Sequence, residues 1–285
     1  MASALDVLLR VPRVQSAARA TADWVDLQWS SLIHQLRQIA PRTRGRLLDV
    51  GCGEKPYESI FRPYVNEYIG VELQETFSAT HASTRSSKPD VFYDGKLLPF
   101  ESQTFDTVIS VQVLEHTPHP QDLVNEMARV VKSGGLVIVS APFSFRLHEE
   151  PHDYFRYTPH GLRALFEAAG LVVEDIWSER DLWGVVGHKI NSFLAFRVAR
   201  IQSVAQSIGK HGHEDAPSAP VRLWTLPFIL PTMGAVSAAS RILDRIAPDG
   251  SEALSYVIFG RPRSRGAAAT FGEPSASATA AAPGA

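Results

Sequence analysis

The run Arg46-Leu47-Leu48-Asp49-Val50-Gly51-Cys52-Gly53 constrains the fold of this chain more than any other stretch. A short apolar segment carrying an acid leads directly into a Gly-x-Gly turn. Leu47, Leu48 and Val50 suit a parallel strand covered on both faces. Gly51 and Gly53 allow a turn that residues with a Cβ would crowd, so backbone N–H groups can approach a ligand closely. Asp49 sets a negative charge beside that turn, which suits a cationic ligand better than a phosphate.

The rest of the chain continues the pattern. Strands are predicted at Tyr68 to Glu72, Val91 to Tyr93, Phe105 to Val111, Leu136 to Ser140, Leu171 to Trp177 and Ser255 to Phe259. Leu123, Val124, Met127, Val130 and Val131 recur at helical spacing, with Pro120 at the start and Gly134-Gly135 as the stop. Thr158-Pro159 reads as an N-cap and first helical residue, and Gly170 as the end of that helix. Alternating strands and helices indicate an α/β fold: a doubly wound, mostly parallel, seven-stranded Rossmann-like sheet. The predicted organisation is an N-terminal helical segment over 1–44, a core over 45–182 and a helical insertion or lid over 183–250. The last strand of the core falls in 251–265, before a disordered tail over 266–285. The tail's Ala, Ser, Pro and Gly leave little to bury.

Composition narrows the partners. The net charge of −2 over 285 residues gives no electrostatic reason to bind nucleic acid. The lone Cys52 excludes an internal disulfide framework and fits a reducing cytoplasm. Asp6, Arg10 and Arg13 interrupt what would be the core of a signal peptide. No uninterrupted apolar run reads as long enough to span a bilayer.

In such sheets ligands bind outside the carboxyl ends of the strands, where strand order reverses. Four positions fall there: the Asp49–Gly53 turn, Glu72, Asp94-Gly95, and Val111 to His116. Glu72 follows the turn by about twenty residues, where an acid can accept from ribose hydroxyls.

These elements carry Leu48-Asp49-Val50-Gly51-Cys52-Gly53, Asp94 with Leu98-Pro99-Phe100, Phe105-Asp106, Leu114-Glu115-His116 and Arg129-Val130-Val131-Lys132-Ser133-Gly134-Gly135. Together, in this order, they resemble the class I S-adenosylmethionine-dependent methyltransferases, in particular the methyltransferase type 11 branch, over roughly residues 45–178. The resemblance implies S-adenosyl-L-methionine as cofactor. It also implies that the Gly51 and Gly53 turn lies under the methionine portion, with Asp49 near its amino group. Glu72 would hold the ribose, and Asp94 and the Gly95 backbone would meet the adenine. Val111 and Gln112 would form the floor under the sulfonium. One departure is Lys55, where many relatives have a third glycine. Lys55-Pro56-Tyr57 also occurs in relatives associated with cell-surface glycan gene clusters, so the departure does not speak against cofactor binding. The expected reaction is methyl transfer to an oxygen or nitrogen of a small-molecule acceptor, with a sugar or lipid-linked glycan as a candidate. Rival readings are a catalytically silent cofactor-binding protein and a nicotinamide oxidoreductase. The second would want a glycine at Pro56 and a neutral residue at Asp49.

His148-Glu149-Glu150-Pro151-His152 matches the zinc-protease pattern His-Glu-x-x-His, which works only on a helix. Pro151 and its effect on Glu150 oppose that helix, so no metal is predicted from it. The segment reads instead as a substrate loop after the fifth strand, and similar sequences carry a Pro-x-Asp-Tyr-x-Arg-Tyr-Thr stretch here. Candidate general bases are His116, His152 and Asp153. Two alternatives stand beside them: Asp153 pairs with Arg156 to brace the loop, and His116 orients a loop or caps a helix. Trp224 to Pro231 reads as a packed lid over the site, or as a peripheral membrane contact beside Arg222.

Overall fold

A computed structural model describes residues 24–74, 88–199 and 222–263. A seven-stranded sheet runs in the order β3-β2-β1-β4-β5-β7-β6. Its strands are β1 Arg46–Val50, β2 Glu67–Leu73, β3 Val91–Tyr93, β4 Phe105–Val111, β5 Val131–Pro142, β6 Leu171–Glu179 and β7 Ser255–Pro262. Only β7 opposes its neighbours, pairing antiparallel with β5 and β6. Order reverses between β1 and β4, which pair in parallel with Asp49 opposite Ile109. That reversal opens the crevice at their carboxyl ends.

Both faces of the sheet are covered. Alternation along β1 sends Leu48 and Val50 into one cluster, where Val124, Met127 and Phe166 arrive from α3 (Pro120–Val130) and α4 (Pro159–Ala168). Leu47 points the other way, to Leu32, Leu36 and Phe61 of α1 (Leu27–Ile39) and α2 (Glu58–Phe61). The caps read from sequence form as expected: Pro120 opens α3, and Thr158 Oγ1 accepts from Gly161 N at 3.1 Å at the start of α4.

The predicted fifth strand is corrected at its start. The strand begins at Val131, immediately after α3, and not at Leu136. Pairing steps from Phe105↔Val131 to Thr107↔Leu136, so the intervening glycines bulge out. Gly134 sits at φ +74°, and a Cβ on Gly135 would lie 2.9 Å from the Asp106 carbonyl. The glycines therefore let a strand bend, where the sequence suggested a helix stop.

Between β6 and β7 lie α5 (Leu182–Phe193) and α6 (Leu226–Ile246). Gly187 brings them together, since a Cβ there would stand 2.0 Å from Ser240 Oγ. Asn191 Nδ2 donates to Ser237 Oγ at 2.8 Å across the contact. Trp224 and Phe228 do not pack as a lid: they are 74% and 73% exposed. The helix from Leu223 to Ile246 spans 24 residues and contains an 18-residue stretch of mean hydropathy 1.4, of which 22% is buried, so it is long and apolar enough to cross a membrane by length and composition. No uninterrupted apolar run marks it in the sequence, because Thr232, Ser237, Ser240 and Arg241 fall among its apolar residues. Pro227 falls in the first turn of α6, where no helical N–H is lost, and the helix continues through Pro231. The expected tail over 266–285, the first half of the expected N-terminal helical segment and the middle of the expected insertion, residues 200–221, lie outside the described residues.

Candidate active site

The turn after β1 adopts the backbone its glycines permit. Gly51 and Gly53 have φ +74° and +50°. A Cβ at Gly51 would come within 2.4 Å of the Val113 side chain, so the turn closes against the chain leaving β4. Lys55 also takes a positive φ, +55°. It thus holds a conformation that a glycine would adopt freely, at a cost of about 1 kcal/mol. Its ammonium pairs with Asp90 at 2.5 Å, and its chain passes Gly70, where a Cβ would lie 2.8 Å from Lys55 Cε. The departure at Lys55 therefore ties the turn to the segment entering β3.

Asp49 is 1% exposed and accepts from Tyr68 Oη at 2.5 Å. Burial pushes its carboxyl up to about 7, against the pull of Tyr68. Glu72 is buried as well. Its two oxygens accept from Gly53 N at 2.7 Å and Leu73 N at 2.8 Å, and burial raises it despite those bonds. Each oxygen keeps a further lone pair. Burial pushes the Cys52 thiol up, which makes it a packed filler and no nucleophile. Asp94 is exposed at the end of β3, where Oδ1 accepts from Lys96 N at 3.1 Å. Gly95 follows at φ +81°.

At the end of β4 the sequence expectation divides. Val111 is 5% exposed and packs with Phe61 and Tyr68, so its side chain serves the core. Gln112, at φ +56°, bends the chain toward the rim. Its Nε2 donates to Ser140 Oγ at 2.8 Å, which donates to Glu179 Oε1 at 3.2 Å.

The loop after β5 docks on the turn after β4. Tyr154 N donates to the Glu115 carbonyl at 2.8 Å, and Tyr157 Oη to the Leu114 carbonyl at 3.0 Å. No helix forms between Ser144 and Thr158, so His148 and His152 do not share a helical face. Asp153 is held by Arg156 through two bonds of 2.6 and 2.7 Å. Its burial would raise the carboxyl, but the guanidinium and His148 N–H bring it down to about 2. Both oxygens of the candidate base Asp153 are therefore engaged by Arg156 and the His148 N–H, the arrangement expected of a brace for the loop. His152 is exposed, with Nδ1 3.1 Å from Tyr154 Oη. His116 places Nδ1 2.9 Å from the His152 carbonyl and turns Nε2 toward Glu115 and Glu149.

Two groups gained no role from sequence. Glu115 is fully buried and pushed up to about 8 by that burial. His148 is pushed down to about 4 by burial and by His116. Only the docking of the loop brings them together, and no local spacing signals it.

Residues 48–139 match the sequence family described as a methyltransferase domain. An uncharacterized methyltransferase of Mycobacterium leprae is 40% identical over 103 residues, 35% of this chain and 38% of that protein. One of Mycobacterium tuberculosis is 38% identical over 96 residues, 33% of this chain and 38% of that protein. The match thus spans less than two fifths of the length of these relatives. Among solved structures, an S-adenosylmethionine dependent methyltransferase from Mesorhizobium loti superposes with a TM-score of 0.47 at 13% identity, covering 82% of this chain and 97% of that one. The [4+2]-cyclase SpnF gives 0.47 at 20%, covering 81% and 79%. The core of this chain, residues 48–139, is a class I methyltransferase domain, the family whose cofactor is S-adenosyl-L-methionine.

Proposed function

We propose that the chain transfers a methyl group from S-adenosyl-L-methionine to an oxygen or nitrogen of a small molecule, with a sugar or lipid-linked glycan as the acceptor class. The observation that carries this reading is the pair of buried carboxyls, Asp49 and Glu72, beside a turn whose glycines have positive φ. Burial disfavours the charge on Asp49, and a ligand ammonium would offset that cost. The residues present therefore fit the cofactor. Asp49 would face the amino group, Gly51 and Gly53 would lie beneath the methionine portion, and Glu72 would use its remaining lone pairs on the ribose. Asp94 and the Gly95 backbone would take the adenine. Gln112, with the backbone of Val111, would form the floor.

When bound, the cofactor supplies an electrophilic methyl on a good leaving group. The protein's task is then to hold the acceptor in line, which can be worth about 7–11 kcal/mol in favourable cases. His152, exposed on the docked loop, is the group in this reading that takes the acceptor's proton. Asp153 and Arg156 hold that loop in place. The exposed Trp224 and Phe228 of the α6 region suit a peripheral contact with the membrane that carries a lipid-linked acceptor.

Turnover to S-adenosylhomocysteine with fractionated extract as acceptor source tests the proposal, with the methylated compound identified by mass. His152→Ala should retain cofactor binding and lose most turnover. Failure to bind either cofactor or its demethylated product in calorimetry would sink it.

A further inference from the structure

The docking of the loop on the β4 turn also assembles a set of metal-ligating side chains. Glu115, His116 and His148 each offer one ligand atom, and these atoms lie within 4.8 Å of one another. His116 Nε2 and His148 Nε2 are each 3.9 Å from the same atom, Glu115 Oε1. The imidazoles meet edge-on, with centroids 4.7 Å apart and planes at 78°. With two separations of 3.9 Å and all three ligand atoms within 4.8 Å of one another, a common centre lies about 2.3–2.5 Å from each, so a contraction of a few tenths of an ångström reaches zinc–nitrogen and zinc–oxygen bond lengths.

The hydrogen-bonding pattern fixes which ring atoms face inward. His116 Nδ1 meets the His152 carbonyl at 2.9 Å, an acceptor, so the proton of the neutral ring sits on Nδ1. His148 Nδ1 meets Asp153 Oδ2 and the Arg146 carbonyl, each at 3.2 Å, both acceptors again. In both neutral rings the lone pair therefore lies on Nε2. The two lone pairs converge on a carboxylate that is 0% exposed and whose two oxygens accept no hydrogen bond among the described residues. A cation placed between the two Nε2 atoms and the Glu115 carboxyl would take a lone pair from each and displace any proton the carboxyl holds. Asp153, itself clamped by Arg156, orients His148 in the carboxylate–histidine–metal manner. The site is distinct from the His-Glu-x-x-His reading, since His152 contributes only its backbone carbonyl.

We propose that Glu115, His116 and His148 bind one divalent first-row transition ion, with zinc the ion best suited to two imidazoles and a carboxylate. Three protein ligands leave at least one coordination position for water or another oxygen. The His116 and His148 side chains, 17% and 12% exposed, leave the ion a way in.

The test uses untagged full-length protein, stripped with a chelator and then titrated by calorimetry with Zn²⁺ and by visible absorption with Co²⁺. One equivalent of each should bind, with Co²⁺ developing d–d bands, and Zn²⁺ should raise the melting temperature. His148→Ala should weaken binding at least tenfold and remove the thermal shift, and Asp153→Asn should weaken it about 10–100-fold. Glu115→Gln should do the same as His148→Ala. If it fails to fold, His116→Ala carries the comparison from a partly exposed ring. Absence of stoichiometric uptake, or uptake that His148→Ala leaves unchanged, would overturn the assignment. No cofactor or acceptor enters these titrations, so their result is independent of the methyl-transfer reading.

Discussion

Asp49→Asn separates what this residue does for the fold from what it does for a ligand, because the two effects have opposite signs. Burial lifts the Asp49 carboxyl to about 7, against about 3.9 in an unfolded chain. A raised carboxyl holds its proton longer in the folded state, so the stability present below pH 4 is lost as pH rises through about 7. The full displacement corresponds to about 4 kcal/mol between the two protonation states. Asparagine keeps the shape and an acceptor for Tyr68 Oη without the charge. Urea unfolding should then show the variant no less stable than the parent near pH 5, and more stable near pH 8. Calorimetry with S-adenosylhomocysteine should move the other way. Removing one partner of a buried charge pair costs about 2–5 kcal/mol of binding, or roughly 30-fold and upward at pH 7.5. In the parent, affinity should fall below about pH 7 as Asp49 takes up a proton. The acid limb should vanish in the variant. Equal affinity of parent and variant at pH 7.5 would refute the placement of Asp49 against the ligand ammonium.

Glu179 is fully buried and its carboxyl is pushed up to about 8, so parent stability should also decline between about pH 4.3 and 8, and Glu179→Gln should flatten that decline in thermal melts. Arg156→Leu strands the Asp153 carboxylate, whose side chain is 1% exposed. About 3 kcal/mol of stability and most turnover should be lost, and Arg156→Lys should restore little because one ammonium cannot replace a two-pronged guanidinium. An Arg156→Leu variant with the parental melting temperature would show that the brace is idle. Gly51→Ala puts a methyl at φ +74° and 2.4 Å from Val113, so it should cost about 1–2 kcal/mol in backbone strain alone and weaken S-adenosylhomocysteine binding in calorimetry. Replacing both Trp224 and Phe228 by serine should abolish co-sedimentation of the protein with anionic vesicles, leaving the melting temperature unchanged, since both side chains are over 70% exposed.

The sheet was legible from local sequence patterns alone. Two-sided apolar runs at β1, β4 and β5 can be satisfied only by helices on both faces, and the glycines after β1 can serve only a turn that needs positive φ. Those features are local, so Asp49, Glu72 and Asp94 could be placed at strand ends from their spacing alone. The tertiary structure decided what depends on residues far apart in the chain. Asp153 became a brace because Arg156 reached it with both prongs. Lys55 stood in for a glycine because Gly70 left room for its chain and Asp90 met its charge. Trp224 and Phe228 faced outward because α6 packs on α5 through the opposite face, at Ser237 and Ser240. Glu115 carried no signal in the sequence beyond its place in Leu114-Glu115-His116. Only when the loop after β5 closed over the end of β4 did its carboxylate lose water and gain His148, which lies 33 positions on. The energy of a buried charge is set by everything within a few ångströms of it, and chain order does not encode that neighbourhood.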